Sequence, residues 1–156
     1  MKNRLTLHSV LEKAITKEIE SQELYHHLGD TASDDAARDI FTKLVQVEKK
    51  HEDLLRKYLS GEIGEGTLAK EHVLDYKIAE YLEQPQINPD MKIDEVLLLA
   101  ANREKASHDF YISLAGEHPS GEVKRLLEEL ASQELDHKHR MEFLYTEVAF
   151  PQTDGG

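Results

Sequence analysis

Apolar residues recur at alternating spacings of four and three in four long stretches of the chain, the period of helices that bury one face. The first stripe is Leu7, Leu11, Ala14, Glu18, Ser21, Tyr25 and Leu28. It predicts a helix over residues 9–28, with Ser9 and Glu12 as a capping box and Gly29 as its C-terminal stop. The second stripe, Ala37, Phe41, Leu44, Glu48, His51, Leu55 and Tyr58, predicts a helix from about Asp34 to Ser60, left through Gly61. A third, Ile93, Leu97, Ala100, Glu104, Ser107, Tyr111 and Leu114, predicts a helix from about Ile93 to Ala115, closed by Gly116, His118 and Pro119. The fourth, Val123, Leu127, Leu130, Glu134, His137, Met141 and Leu144, predicts a helix from a Ser120 cap to about Val148.

The short links after the first and third helices force two antiparallel hairpins. Between the hairpins, residues 61–90 open with Gly61, Gly64 and Gly66 and close with Pro85 and Pro89. So long a segment is uncommon as a plain loop, and the apolar spacing from Leu68 to Glu83 predicts a short helix within it. It is long enough to run back along the bundle, so that the third helix starts at the same end as the second. The expected architecture is all-α: a four-helix bundle of two helical hairpins joined by a long crossover with a short helix. Residues 1–150 are expected to form one domain, followed by a flexible tail over 151–156.

The two hairpins repeat one another. Residues 7–59 and 93–145 align without a gap at an offset of 86. Glu18 pairs with Glu104, Tyr25 with Tyr111, Glu48 with Glu134 and His51 with His137; Leu11, Ala14, Ser21 and Leu44 pair with Leu97, Ala100, Ser107 and Leu130. Such repetition marks a duplicated supersecondary unit.

The net charge of −12 argues against nucleic-acid and anionic-membrane partners. With no cysteine, the 156 residues can hold no disulfide, thiolate zinc site or iron–sulfur centre. No run approaches the 18 apolar residues of a membrane span, and the expected compartment is the cytoplasm.

Each stripe carries polar residues in its middle, where a core should be apolar. Glu18 and Glu104 stand alone, whereas Glu48 with His51 and Glu134 with His137 form Glu-x-x-His pairs. One such pair is a weak signal, since chance supplies about one in a chain this rich in Glu and His. Glu23 with His26 is the chance case: it lies off the stripe, and its counterparts Asp109 and Ile112 cannot repeat it. The other two pairs lie mid-stripe and recur. Four buried carboxylates repel one another and lose their hydration, and two divalent cations would cancel that charge. Glu and His three apart share a helix face, so both reach one ion. A lone Glu from each of two helices with Glu-x-x-His from each of the other two is the ligand pattern of di-iron carboxylate bundles. The expected cofactor is a pair of Fe ions, and carboxylate and imidazole ligands also suit Mn and Zn. The expected metal residues are Glu18, Glu48, His51, Glu104, Glu134 and His137. His8, His26, His27, His72, His108, His118 and His139 read as surface or helix-end residues.

On Glu18-x6-Tyr25, Glu48-x-x-His51, Glu104-x6-Tyr111 and Glu134-x-x-His137, the chain resembles the rubrerythrin-type ferritin-like family from about Leu7 to Tyr145. The resemblance implies that Glu48 and Glu134 bridge two metals and that Glu18 and Glu104 are terminal ligands. His51 and His137 would bind one metal each, and Tyr25 and Tyr111 would donate to ligand carboxylates. Two departures stand out: a full rubrerythrin has a cysteine-ligated rubredoxin domain, and an extra glutamate stands where this chain has Ser107. The resemblance implies a non-heme di-iron oxidoreductase reducing hydrogen peroxide or dioxygen, with electrons from a separate donor protein. A homodimer or small homo-oligomer is expected. A ferroxidase or iron-storage protein is the alternative, and a metal-stabilised structural domain the second alternative.

Overall fold

The computed structural model describes residues 6–63 and 77–150. Four long helices, α1 (Leu7–Thr31), α2 (Asp35–Ser60), α4 (Ile93–Glu117) and α5 (Glu122–Ala149), are accompanied by one turn of helix, α3 (Ile78–Tyr81). The all-α four-helix bundle expected from the periodicity is the fold observed. Among the described residues no helix is long and apolar enough to cross a membrane.

Helix α1 starts at Leu7, two residues before the expected start, and its cap lies one turn earlier. Thr6, not Ser9, is the cap: its hydroxyl accepts the Ser9 amide at 3.0 Å, while Ser9 Oγ accepts the Thr6 amide at 2.9 Å. Leu7 is thereby drawn into the helix. Gly29 does not stop the helix, which runs on to Thr31. Its role is close approach, because a Cβ there would stand 3.3 Å from Phe41 Cβ on the facing helix. The α2 boundaries match the expectation: Asp34 accepts the Ala37 amide at 3.1 Å, and Gly61 closes the helix in the left-handed conformation at φ 84°. Helix α4 runs two residues past Ala115, and α5 begins at Glu122 without a side-chain cap, so Ser120 does not serve as one.

The crossover helix expected over 68–83 is a single turn in its described part, preceded by Lys77 at φ 53°; residues 68–76 of that expectation, and the tail 151–156, lie outside the described residues. The end of the crossover is tied to the bundle where α2 begins. The Ser33 amide donates to Pro89 O at 2.8 Å, Ser33 Oγ to Asp90 at 2.8 Å, and Lys92 Nζ lies 3.6 Å from Asp34. The starts of α2 and α4 are therefore neighbours and the two helices run parallel, each antiparallel to its hairpin partner.

The core divides into two apolar clusters. One, around Tyr25, Leu28, Phe41, Leu44, Met91, Val96, Leu97 and Ala100, lies where α2 and α4 begin. The other, around Leu11, Ala14, Leu55, Tyr58, Tyr111, Leu126, Leu127 and Leu130, lies at the opposite end. The two repeat tyrosines fall one in each. Between the clusters runs a belt of buried carboxylates.

Candidate metal centre

Stripe periodicity turns the middle of each long helix inward, and the polar interruptions arrive at one level of the bundle. Glu18, Glu48, Glu104 and Glu134 are all buried, at 3 to 7% exposure. The six residues singled out by the repeat gather in two groups that could each hold a metal ion: Glu18, Glu48 and His51, and Glu104, Glu134 and His137. His51 Nδ1 lies 3.5 Å from both Glu18 Oε2 and Glu48 Oε2. His137 Nδ1 lies 3.8 Å from Glu104 Oε2 and 3.9 Å from Glu134 Oε2. Atoms that share an ion at about 2.1 Å stand about 3 to 3.5 Å apart, so modest inward movement would bring each group to bonding distance.

Two observations test whether a cation fits. Glu18 Oε2, His51 Nδ1 and His137 Nδ1 are buried with no hydrogen-bond partner, a costly state for groups in a core unless something else satisfies them. The carboxyls are also forced apart in acidity. Burial raises Glu18 and Glu104 far above the usual range, and the neighbouring carboxylates push them further. Burial also opposes ionisation of Glu48 and Glu134. The close approach of the Glu18 carboxyl and the His51 ring to the first, and of the Glu104 carboxyl and the His137 ring to the second, outweighs it and holds both below the ordinary value. Burial and mutual repulsion thus favour the protonated form of the lone carboxyl of each hairpin. Two divalent cations would displace those protons and supply the missing partners, and the residues fit such a pair.

Tyr25 and Tyr111 are buried beside the belt, and both phenols are pushed up by burial, then by carboxylate charge: Glu104 and Glu48 for Tyr25, Glu134 and Glu18 for Tyr111. Each tyrosine therefore feels the lone glutamate of the opposite hairpin. The Glu23 and His26 pair faces solvent, with His26 Nδ1 3.3 Å from exposed Asp30.

Two cavities border the belt. On the histidine side, a cavity of about 440 Å³ between α2 and α5 has His51 and His137 among its lining, with apolar walls that include Leu44, Val47, Leu97 and Met141. A second, of about 20 Å³, is lined by the four glutamates with Lys17, Ser21, Tyr25, Arg103 and Ser107.

The sequence reading missed several buried polar residues. Lys138 and Glu142 are fully buried, 3.2 Å apart, and hold the crossover: Lys138 Nζ reaches Glu80 at 2.6 Å, and Glu142 Oε2 accepts the Ala79 amide at 2.8 Å. At the repeat positions on α2 stand Glu52 and Arg56, 2.6 Å apart, with Gln22 donating to Glu52 at 2.9 Å. That charge-swapped i,i+4 pair in register was the available signal. His139, read as a surface residue, is buried, because α5 packs on more than its ligand-bearing face.

These features define an all-α bundle with a duplicated carboxylate–histidine pair suited to two metal ions. The rubrerythrin family profile matches residues 1–81, a little over half of the chain, and the chain belongs to that family. It is also similar to the solved structure of a hypothetical protein from Pyrococcus furiosus, with 26% sequence identity and a TM-score of 0.51. That alignment covers 96% of this chain and 94% of the other. No curated protein matches the chain. The second hairpin lies wholly beyond the family-matched residues, and its link to the first is the internal repeat.

Proposed function

We propose that the protein is a di-iron carboxylate oxidoreductase that reduces hydrogen peroxide, or dioxygen, to water. The observation that carries this reading is the pair of Glu, Glu, His groups with three orphaned ligand atoms, in a chain of the rubrerythrin family. Glu18, Glu48 and His51 would hold one ion and Glu104, Glu134 and His137 the other, with Glu48 and Glu134 between the two. A ferrous pair held there would supply two electrons, so that one H2O2, two electrons and two protons give two H2O; dioxygen takes four electrons and four protons to two H2O, the second two electrons coming from the donor protein. The chain's own residues hold and order this chemistry. The two apolar clusters exclude water from both ends of the belt. Buried Tyr25 and Tyr111 place phenol groups in the field of the opposite hairpin's glutamate. With no cysteine in these 156 residues, the electrons are assigned to a separate donor protein, and the expected assembly is a homodimer or small homo-oligomer.

The test is peroxide consumption by iron-loaded protein with a surrogate reductant. Catalytic turnover with reductant, and a halt after the stored electrons are spent without it, is the expected result. A fully loaded protein that fails with several reductants would overturn the reading, and retention of many irons per chain in a hollow shell would replace it with storage.

A further inference from the structure

The stacked rings of His51 and His137 set the spacing of α2 and α5 at the carboxylate belt. From that stack toward the start of α2 and the end of α5, the side chains of the two helices do not close the gap. Val47 and Leu44 on one helix and Met141 and Leu144 on the other line the cavity of about 440 Å³, with Leu97 of α4 among its walls. Its volume falls within the roughly 300 to 1,000 Å³ of small-molecule pockets, which are mostly apolar with a few polar groups that fix orientation. The cavity lies beside the belt. Ions held by the glutamates and histidines would form part of one end and leave the rest free.

The two ends differ in charge. Glu48, Glu104 and Asp136 belong to the end at the histidines. Lys43, two turns before His51 on α2, belongs to the other, and Arg140, one turn beyond His137 on α5, lies on the same side. Both cations are exposed, and such side chains lay apolar stems along a groove while keeping the charge in water. Leu144, 41% exposed, marks the same end as the open one. The eight residues from Lys43 to His51 span about 12 Å at 1.5 Å each, the reach of an extended chain of about ten carbons. A ligand that matches has an apolar body of that length and one negative head, which the acidic residues at the histidine end would repel. We propose that this cavity binds a medium-chain aliphatic carboxylate, its head at Lys43 and Arg140 and its tail toward the histidines. Binding requires no turnover and so goes beyond the oxidoreductase reading; on that reading it would set the end of an alkyl chain beside the metal pair.

Calorimetric titration of iron-loaded and of metal-free protein with hexanoate, octanoate, decanoate and dodecanoate tests the site. Affinity should rise about fourfold per methylene up to about ten carbons and gain little beyond. Val47→Trp, which fills the cavity, should abolish decanoate binding. The double variant Lys43→Gln, Arg140→Gln changes only exposed positions; it should weaken decanoate about fivefold and leave decanol unchanged. In iron-loaded protein, nuclear relaxation of carbon-13-labelled decanoate should be faster at the terminal methyl than at the carboxyl carbon. Decanoate affinity that either folded variant leaves unchanged, an equal loss of decanol in the double variant, or faster relaxation at the carboxyl carbon would overturn the proposal. So would a dimer in sedimentation that excludes decanoate and separates in Val47→Trp, which would place a second copy of the chain in the groove. Decanoate binding of the expected pattern without peroxide turnover would sink the oxidoreductase reading alone. Turnover without decanoate binding would sink this inference alone.

Discussion

His51 and His137, 86 residues apart, stack ring on ring with centroids 3.8 Å apart and planes within 5° of parallel. Each turns its Nδ1 toward the two glutamates of its own hairpin, so the contact marks the seam at which the duplicated hairpins meet. The arrangement makes the two ligand groups near equivalents.

Equivalence has a stoichiometric consequence. Protein refolded with excess Fe(II) should hold two ions per chain by elemental analysis. His51→Ala and His137→Ala should each reduce this toward one, since either change leaves two protein ligands in one group and three in the other. Glu48→Ala and Glu134→Ala should lower both occupancies if, as proposed, these two carboxylates would be shared by the ions. His26→Ala, on the solvent face, should leave two. A stoichiometry near zero in wild type would end the metal reading.

The separation of the carboxyls predicts a pH dependence in metal-free protein. Glu18 and Glu104 are raised above their unfolded values, chiefly by burial, so the native state retains protons that the unfolded chain releases above about pH 4.3. Their contribution to stability is full below that pH and declines as pH rises toward the folded values, by up to about 1.4 kcal/mol per pH unit for each retained proton. Glu48 and Glu134 are lowered; their contribution is present above the unfolded value and fails only in acid, so it adds no slope between pH 5 and 8. Melting temperatures of metal-free wild type should fall from pH 5 to 8, and a Glu18→Gln, Glu104→Gln double variant should be flatter. Parallel profiles would refute the buried-proton argument.

The carboxylate belt was legible in the sequence because a charged residue inside an apolar stripe breaks a periodic pattern, and the repeat at positions such as Glu104 and His137 removes the accident. The bundle was legible for the same reason: the four stripes state which face is buried. The start of α1 was not, since Ser9 and Glu12 form a plausible box one turn inside the one made by Thr6 and Ser9, and local spacing cannot choose between them. Lys138 and Glu142 were hidden more deeply. At i,i+4 on a helix they read as an ordinary solvent-facing ion pair, and only the return of the crossover over α5 buries them. That docking is a tertiary event with no period of its own.

The buried pair yields the third prediction. Lys138 lies between Glu142 and Glu80, and its removal strands a fully buried carboxyl whose acidity burial already lowers, raising its pKa. Breaking one partner of such a pair costs about 3 to 5 kcal/mol, whereas replacing both is far milder. Lys138→Met alone should therefore lower unfolding stability by several kcal/mol in urea titrations of metal-free protein. Lys138→Met with Glu142→Gln should recover much of the loss, because glutamine keeps an acceptor for the Ala79 amide while removing the unpaired charge. A double variant no more stable than Lys138→Met would show that packing of the lysine stem, and not its charge, holds the crossover against α5.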